Sequence, residues 1–129
     1  MSEQQAEAQV ISQVKEVLTA AIPTPPEATP VASAQALKER LRWGEPALTI
    51  LDGRDREAFL EERIRGAMLL EDTGNFAENR DIYVYASSDE ETAAAADKLR
   101  QAGYSNVSQL QGGLAAWKAV KGATEGRAA

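Results

Sequence analysis

Apolar and polar positions follow two different rhythms along the chain. Near the start, Val10, Val14, Val17 and Ala21 recur at steps of four, three and four, and Ile11, Leu18 and Ile22 widen the stripe. This is the helical period, so residues 1–22 are expected to form one amphipathic helix. Glu3 and Glu7 stand at the end of its dipole that favours negative charge. A lone helix of this length is marginal in water, and its β-branched residues weaken it further. The stripe carrying Val10, Val14, Val17 and Leu18 therefore needs a covering surface. Either it folds back on its own domain, or it docks on another protein or a second copy. Residues 23–30 hold four prolines in eight positions, which forbids a helix and makes an extended, semi-rigid linker.

From residue 31 the rhythm changes. Ser33 suits the N-cap of a helix over about 34–43, with Leu37 and Leu41 facing inward. Residues 47–51 read as a short apolar strand, 55–62 as a helix presenting Phe59, and 67–70 as a second strand. Residues 82–86 form the clearest strand, with Tyr83 and Tyr85 on one face and in need of partners for their hydroxyls. An Ala-rich helix over about 92–102 is closed by Gly103, and residues 106–110 make a last strand. After the turn at Gly112 and Gly113, residues 114–120 form a helix anchored by Trp117. Trp43 and Trp117 are both expected in the core, and the tail 121–129 is expected to fray. Strands alternating with helices imply a parallel sheet covered on both faces.

Composition narrows the chemistry. The 129 residues include no Cys and no His. Disulfides, thiolate nucleophiles, Cys/His metal sites and Ser-His-Asp triads are excluded. A metal could only be a hard cation held by carboxylates, and no cofactor is implied. The net charge of −6 argues against a nucleic-acid partner. No stretch of about 18 apolar residues exists to span a membrane. The acidic N-terminus lacks the features of a signal peptide, so the expected compartment is the cytoplasm.

In open parallel sheets, ligands bind beyond the carboxyl ends of the strands. Three segments gather there: Asp52-Gly53-Arg54, Ser87 to Glu91, and Gln111-Gly112-Gly113. A strand-to-helix turn can cradle an anion with its backbone amides. Here Asp89, Glu90 and Glu91 fill that turn, and Ser88 to Glu91 fits a capping box. A capped helix start is preferred over an acid–base pair or a weak Mg²⁺ or Ca²⁺ site using these acids with Asp52. Asp52 and Arg54 are read as a structural ion pair.

Residues 31–120 resemble a rhodanese-like domain along their whole length. The carrying segments are Leu51 to Phe59, Ile64-Arg65-Gly66-Ala67, Ile82 to Tyr85, and Leu99 to Val107 leading into Leu110-Gln111-Gly112-Gly113-Leu114-Ala115-Ala116-Trp117. The resemblance implies a three-layer α/β fold with a five-stranded parallel sheet flanked by helices. It also implies an active-site loop over Ala86, Ser87, Ser88, Asp89, Glu90, Glu91 and Thr92, supported by Asp52 and Arg54. Active rhodaneses carry a sulfur-accepting cysteine after the central strand, in a loop whose amides and an arginine bind an anionic substrate. That cysteine position falls at Ala86, the arginine at Glu91 and a frequent glycine at Asp89. A usual Gly-His pair falls at Glu62-Arg63, and the stretch between Leu70 and Asp81 is short. The expectation is a domain without sulfurtransferase activity that binds a protein partner, with the stripe of Val10, Val14, Val17 and Leu18 as the candidate contact. A cation-dependent enzyme and a structural subunit of a larger assembly are the alternatives.

Overall fold

The computed structural model describes residues 30–44 and 48–128. The helix expected over 1–22, with Val10, Val14, Val17 and Leu18, and the linker up to residue 29 lie outside the described residues. In chain order the strands are β1 (Val31–Ala32), β2 (Leu48–Asp52), β3 (Arg63–Ile64), β4 (Met68–Leu69), β5 (Asp81–Tyr85), β6 (Val107–Leu110) and β7 (Thr124–Glu125). The helices are α1 (Ala34–Arg42), α2 (Arg56–Glu61), α3 (Asp89–Gln101) and α4 (Gly113–Ala119), with a 3₁₀ turn at Leu70–Asp72. Among the described residues, no helix is long and apolar enough to cross a membrane.

Five strands form a parallel sheet in the order β1-β6-β5-β2-β4. Alternation along β5 divides the core in two. Ile82 and Val84 pack with Leu51, Ala96, Leu99 and Val107 on the face covered by α3. Tyr83 and Tyr85 pack with Leu37, Ile50, Leu110 and Trp117 on the face covered by α1 and α4. Both faces of the central strands are thereby dry, as a parallel sheet requires. The register Val31↔Gln109, Gln109↔Val84, Val84↔Leu51 and Leu51↔Met68 puts Val31 and Met68 at opposite ends of one row.

Caps set the helix starts. Ser33 Oγ accepts from the Ala36 amide at 3.1 Å, and Asp55 Oδ1 from Ala58 at 2.8 Å. α3 begins at Asp89, three residues before its apolar pattern, because Ser88 caps it. On α1 the inward residues are Ala34, Leu37 and Arg40. Leu41, expected to face inward, is 39% exposed. Arg40 takes the inward position because polar partners await it: its guanidinium reaches the Tyr83 hydroxyl at 3.1 Å and Asp81 at 2.8 Å. Trp43, expected in the core, is 48% exposed, since it caps α1 beyond the last turn that faces the sheet.

The tail is docked, which corrects the expectation of fraying. β7 pairs antiparallel with β3, Arg63 opposite Glu125 and Ile64 opposite Thr124. Gly122 lies flat on the buried Trp117 indole, leaving no room for a Cβ. The indole N–H donates to the Ala123 carbonyl at 2.8 Å. Further on, Arg127 donates its amide to Leu60 O at 3.0 Å and pairs with Glu57 and Glu61. Two-residue strands such as β1, β3 and β7 are too short to show a period in sequence.

Candidate functional site

Asp52 closes β2 beside Tyr85 at the end of β5. The Tyr85 hydroxyl donates to Asp52 Oδ2 at 2.6 Å and accepts from the Ile64 amide at 3.2 Å. Arg54 donates its amide and Nε to Asp52 Oδ1 at 2.9 and 3.0 Å, and Nη2 to Oδ2 at 2.7 Å. Nη2 also reaches the Glu62 carbonyl at 2.6 Å. Asp52 is fully buried, and its lone pairs are taken up by these donors. Burial, and then the hydrogen bond to Asp52, push the Tyr85 hydroxyl well above its ordinary range. For Arg54, burial acts downward, but the hydrogen bond and charge of Asp52 outweigh it and hold the guanidinium above its usual value. The geometry is that of a staple joining two strand ends to the α2–β3 corner, with no carboxylate oxygen left over as a general base.

Above the staple runs the loop from Ala86 to Thr92. Ala86 is 7% exposed, while Ser87 to Glu91 are exposed and Thr92 is buried. The Ala86 amide donates to Thr92 Oγ1 at 2.9 Å, and that hydroxyl donates to Ser88 O at 2.8 Å. The Glu91 amide is taken by Ser88 Oγ at 3.1 Å, and the Thr92 amide by Ser88 O at 2.9 Å. Asp89 Oδ1 accepts from the Gly112 amide at 2.9 Å and ties the loop to the turn before α4. Gly53 and Gly113 close in from either side. A Cβ at Gly53 would lie 3.6 Å from Ala86 Cβ, and one at Gly113 would lie 3.1 Å from Ala86 O. Gly113 also needs its left-handed φ of 54°.

The acids do not converge. Among the described residues, no group of three or more acidic side chains could hold a metal ion. Asp52 is spent on the staple and Asp89 on Gly112, so the cation-dependent alternative lacks its ligand set.

At the Glu62-Arg63 corner, Glu62 binds Lys118 at 2.8 Å and Thr124 at 3.0 Å, which hold its carboxyl below the usual range. Arg63 lies over the Phe59 ring at 4.5 Å and pairs with Glu125. Beyond β4, the chain leaves an open cavity of about 360 Å³ walled by Phe59, Met68, Leu69 and Phe76. Sequence reading brought Asp52, Arg54 and the loop together but missed Tyr85 as their partner, the Asp89–Gly112 tie and this cavity. The shared face of Tyr83 and Tyr85 was the available signal for the first; the other two depend on how distant segments meet.

The Rhodanese-like domain family matches residues 33–120. No functionally curated protein matches the chain. A crystal structure of the Alr3790 protein from Anabaena sp. is similar at 51% identity and a TM-score of 0.70, over 74% of this chain and 80% of that one. The thiosulfate sulfurtransferase of Pseudomonas aeruginosa aligns at 26% identity and a TM-score of 0.62, over 84% of this chain and 21% of its own. The 3-mercaptopyruvate sulfotransferase SseA of Escherichia coli, at 22% identity and a TM-score of 0.61 over 78% of this chain and 53% of its own, shares the fold. Five parallel strands in this order, a strand-to-helix loop at the end of the central strand and a family match over two-thirds of the sequence lead to one assignment: the chain belongs to the rhodanese-like domain family.

Proposed function

We propose that this is a rhodanese-like domain that transfers no sulfur and works as a protein-binding or regulatory module. The observation that carries the reading is the residue at the end of β5. The chain has no cysteine anywhere, and by its resemblance to the family the nucleophile's position falls at Ala86. An alanine methyl cannot attack sulfur. The loop around it supports the same reading. The amides of Ala86 and Glu91 are taken by Thr92 and Ser88, and the turn itself carries three acidic side chains, Asp89, Glu90 and Glu91. A carboxylate roughly 4–6 Å from a bound anion costs about 3–4 kcal/mol at the effective dielectric of ~20 near a protein surface. Partner contact falls to the stripe of Val10, Val14, Val17 and Leu18.

The test is sulfur transfer from thiosulfate to cyanide. The protein is expected to form no thiocyanate above buffer and no persulfide adduct by mass. Ala86→Cys alone is expected to give a thiol with a pKa near ~8.5 or higher and little turnover. Adding Asp89→Asn and Glu91→Arg, which removes two of the three acid charges, adds a positive one and leaves an acceptor for Gly112, is expected to lower that pKa and admit thiosulfate. Enzyme-dependent thiocyanate formation by the unaltered chain, surviving repurification, would overturn the reading.

A further inference from the structure

Residues 121–128 form a strap after α4, and the strap and the strand-end staple grip the same short strand, β3. Glu62, directly before it, sends its side chain to one and its carbonyl to the other. Oε2 accepts from the Thr124 hydroxyl at 3.0 Å, and the carbonyl accepts from Arg54 Nη2 at 2.6 Å. Ile64 pairs with Thr124 of β7, while its amide donates to the Tyr85 hydroxyl at 3.2 Å. The Arg65 amide goes to Ala123 O at 3.0 Å, and the Gly66 amide to Glu125 Oε1 at 3.1 Å. Bonds to the strap and bonds to the staple thus interleave along residues 62–66. Ile64 is fully buried, so its amide is left unsatisfied if the Tyr85 hydroxyl withdraws.

The strap has a hinge. Beyond Val120 the chain turns in a Schellman motif, with the Lys121 amide on Lys118 O at 3.0 Å and the Gly122 amide on Trp117 O at 2.9 Å. The pivot of that motif takes a left-handed conformation and is usually glycine. Here it is Lys121, at φ 59°, the one non-glycine residue with a positive φ among the described residues. Its Cβ crowds the backbone of the closed turn, a strain that opening relieves. Past the pivot, the strap is fastened to the body of the domain, at Trp117, β3 and the carbonyls of Leu60 and Glu61.

We propose that the strap and the staple of Asp52, Arg54 and Tyr85 are one conformational switch. Shut on β3, the strap seats Ile64 and Glu62 against Tyr85 and Arg54; swung open about Lys121, it releases them together. Coupling of this kind is reciprocal. A ligand that fixes Tyr85 or Arg54 holds the strap shut, and whatever draws the strap away loosens the floor of the loop from Ala86 to Thr92. Tyr85 leads directly into that loop, and its carbonyl holds the Gly53 amide at 2.8 Å. The inference goes beyond the non-catalytic reading and does not depend on it, since no sulfur chemistry enters.

Amide hydrogen exchange on the full chain tests it, because neighbouring amides report the two ends separately: Arg65 the strap, Ile64 the staple. In the unaltered chain the two are expected to share one protection factor, below those of the β5 amides. Gly122→Ala, which crowds Trp117, is expected to lower both together, on the order of 10-fold. Lys121→Gly, which removes the strained Cβ and leaves the fold intact, is expected to raise both a few-fold. The reciprocal arm is Tyr85→Phe, which touches no strap residue and is expected to lower Arg65 protection roughly 5-fold or more. Ile64 protection that matches β5 rather than Arg65 overturns the proposal. So does an Arg65 amide indifferent to Tyr85→Phe, and so does a Lys121→Gly effect confined to Arg65. Thiocyanate formation bears on the non-catalytic reading alone and leaves the exchange result standing either way.

Discussion

Tyr85 places one hydroxyl between a buried carboxylate and a buried amide. It donates to Asp52 and accepts from Ile64. Replacing Tyr85 with Phe strands that amide and removes one of the donors to Asp52, so Tyr85→Phe is expected to lose about 1–3 kcal/mol of stability in urea melts near neutral pH. The same group sets a pH dependence. Its folded pKa lies above the ordinary 10.0, so the unfolded chain gives up the proton first. Stability from the protonated hydroxyl is complete below that value and falls as the pH climbs past it, by up to ~1.4 kcal/mol per unit. Urea melts above pH ~10 are expected to show a shallower alkaline decline in Tyr85→Phe than in the unaltered protein. Asp52 and Arg54 were readable as an ion pair because they stand two residues apart at a strand end. Tyr85 was not, because its meeting with Asp52 depends on the register of β2 against β5, and nothing local to either strand reports that register.

At the scale of elements, the long helices and five-residue strands were visible because period and caps act within each segment. The terminal strap was not. Lys121 to Ala128 is short, charged and glycine-bearing, a composition usual for frayed ends, yet it is held by Trp117, by β3 and by the carbonyls of Leu60 and Glu61. Its stability comes wholly from tertiary contacts. Gly122→Ala would drive a methyl into the indole of Trp117, and this overpacking is expected to cost about 1–3 kcal/mol. Hydrogen exchange makes the test specific. The Arg65 amide, bonded to Ala123 O at 3.0 Å, should lose protection before the amides of β5 do. Uniform loss across both regions would show that the strap and the central sheet open together.

For the whole molecule, fold class followed from the order of elements, since strand–helix alternation admits few topologies. The cavity beyond β4 was hidden, because it is bounded by segments that carry no shared pattern: α2, the edge strand and the residues after the 3₁₀ turn. The docked tail has one more consequence, and it is optical. Trp117 is sealed beneath Gly122 while Trp43 stands in solvent, and the chain has no other tryptophan. Emission should therefore be the sum of a blue, shielded component and a red one that a soluble quencher such as acrylamide reaches. Trp43→Phe should leave only the shielded band, and adding Gly122→Ala to that variant should move it to the red. The domain thus carries its own gauge of whether the strap is closed, readable without a label.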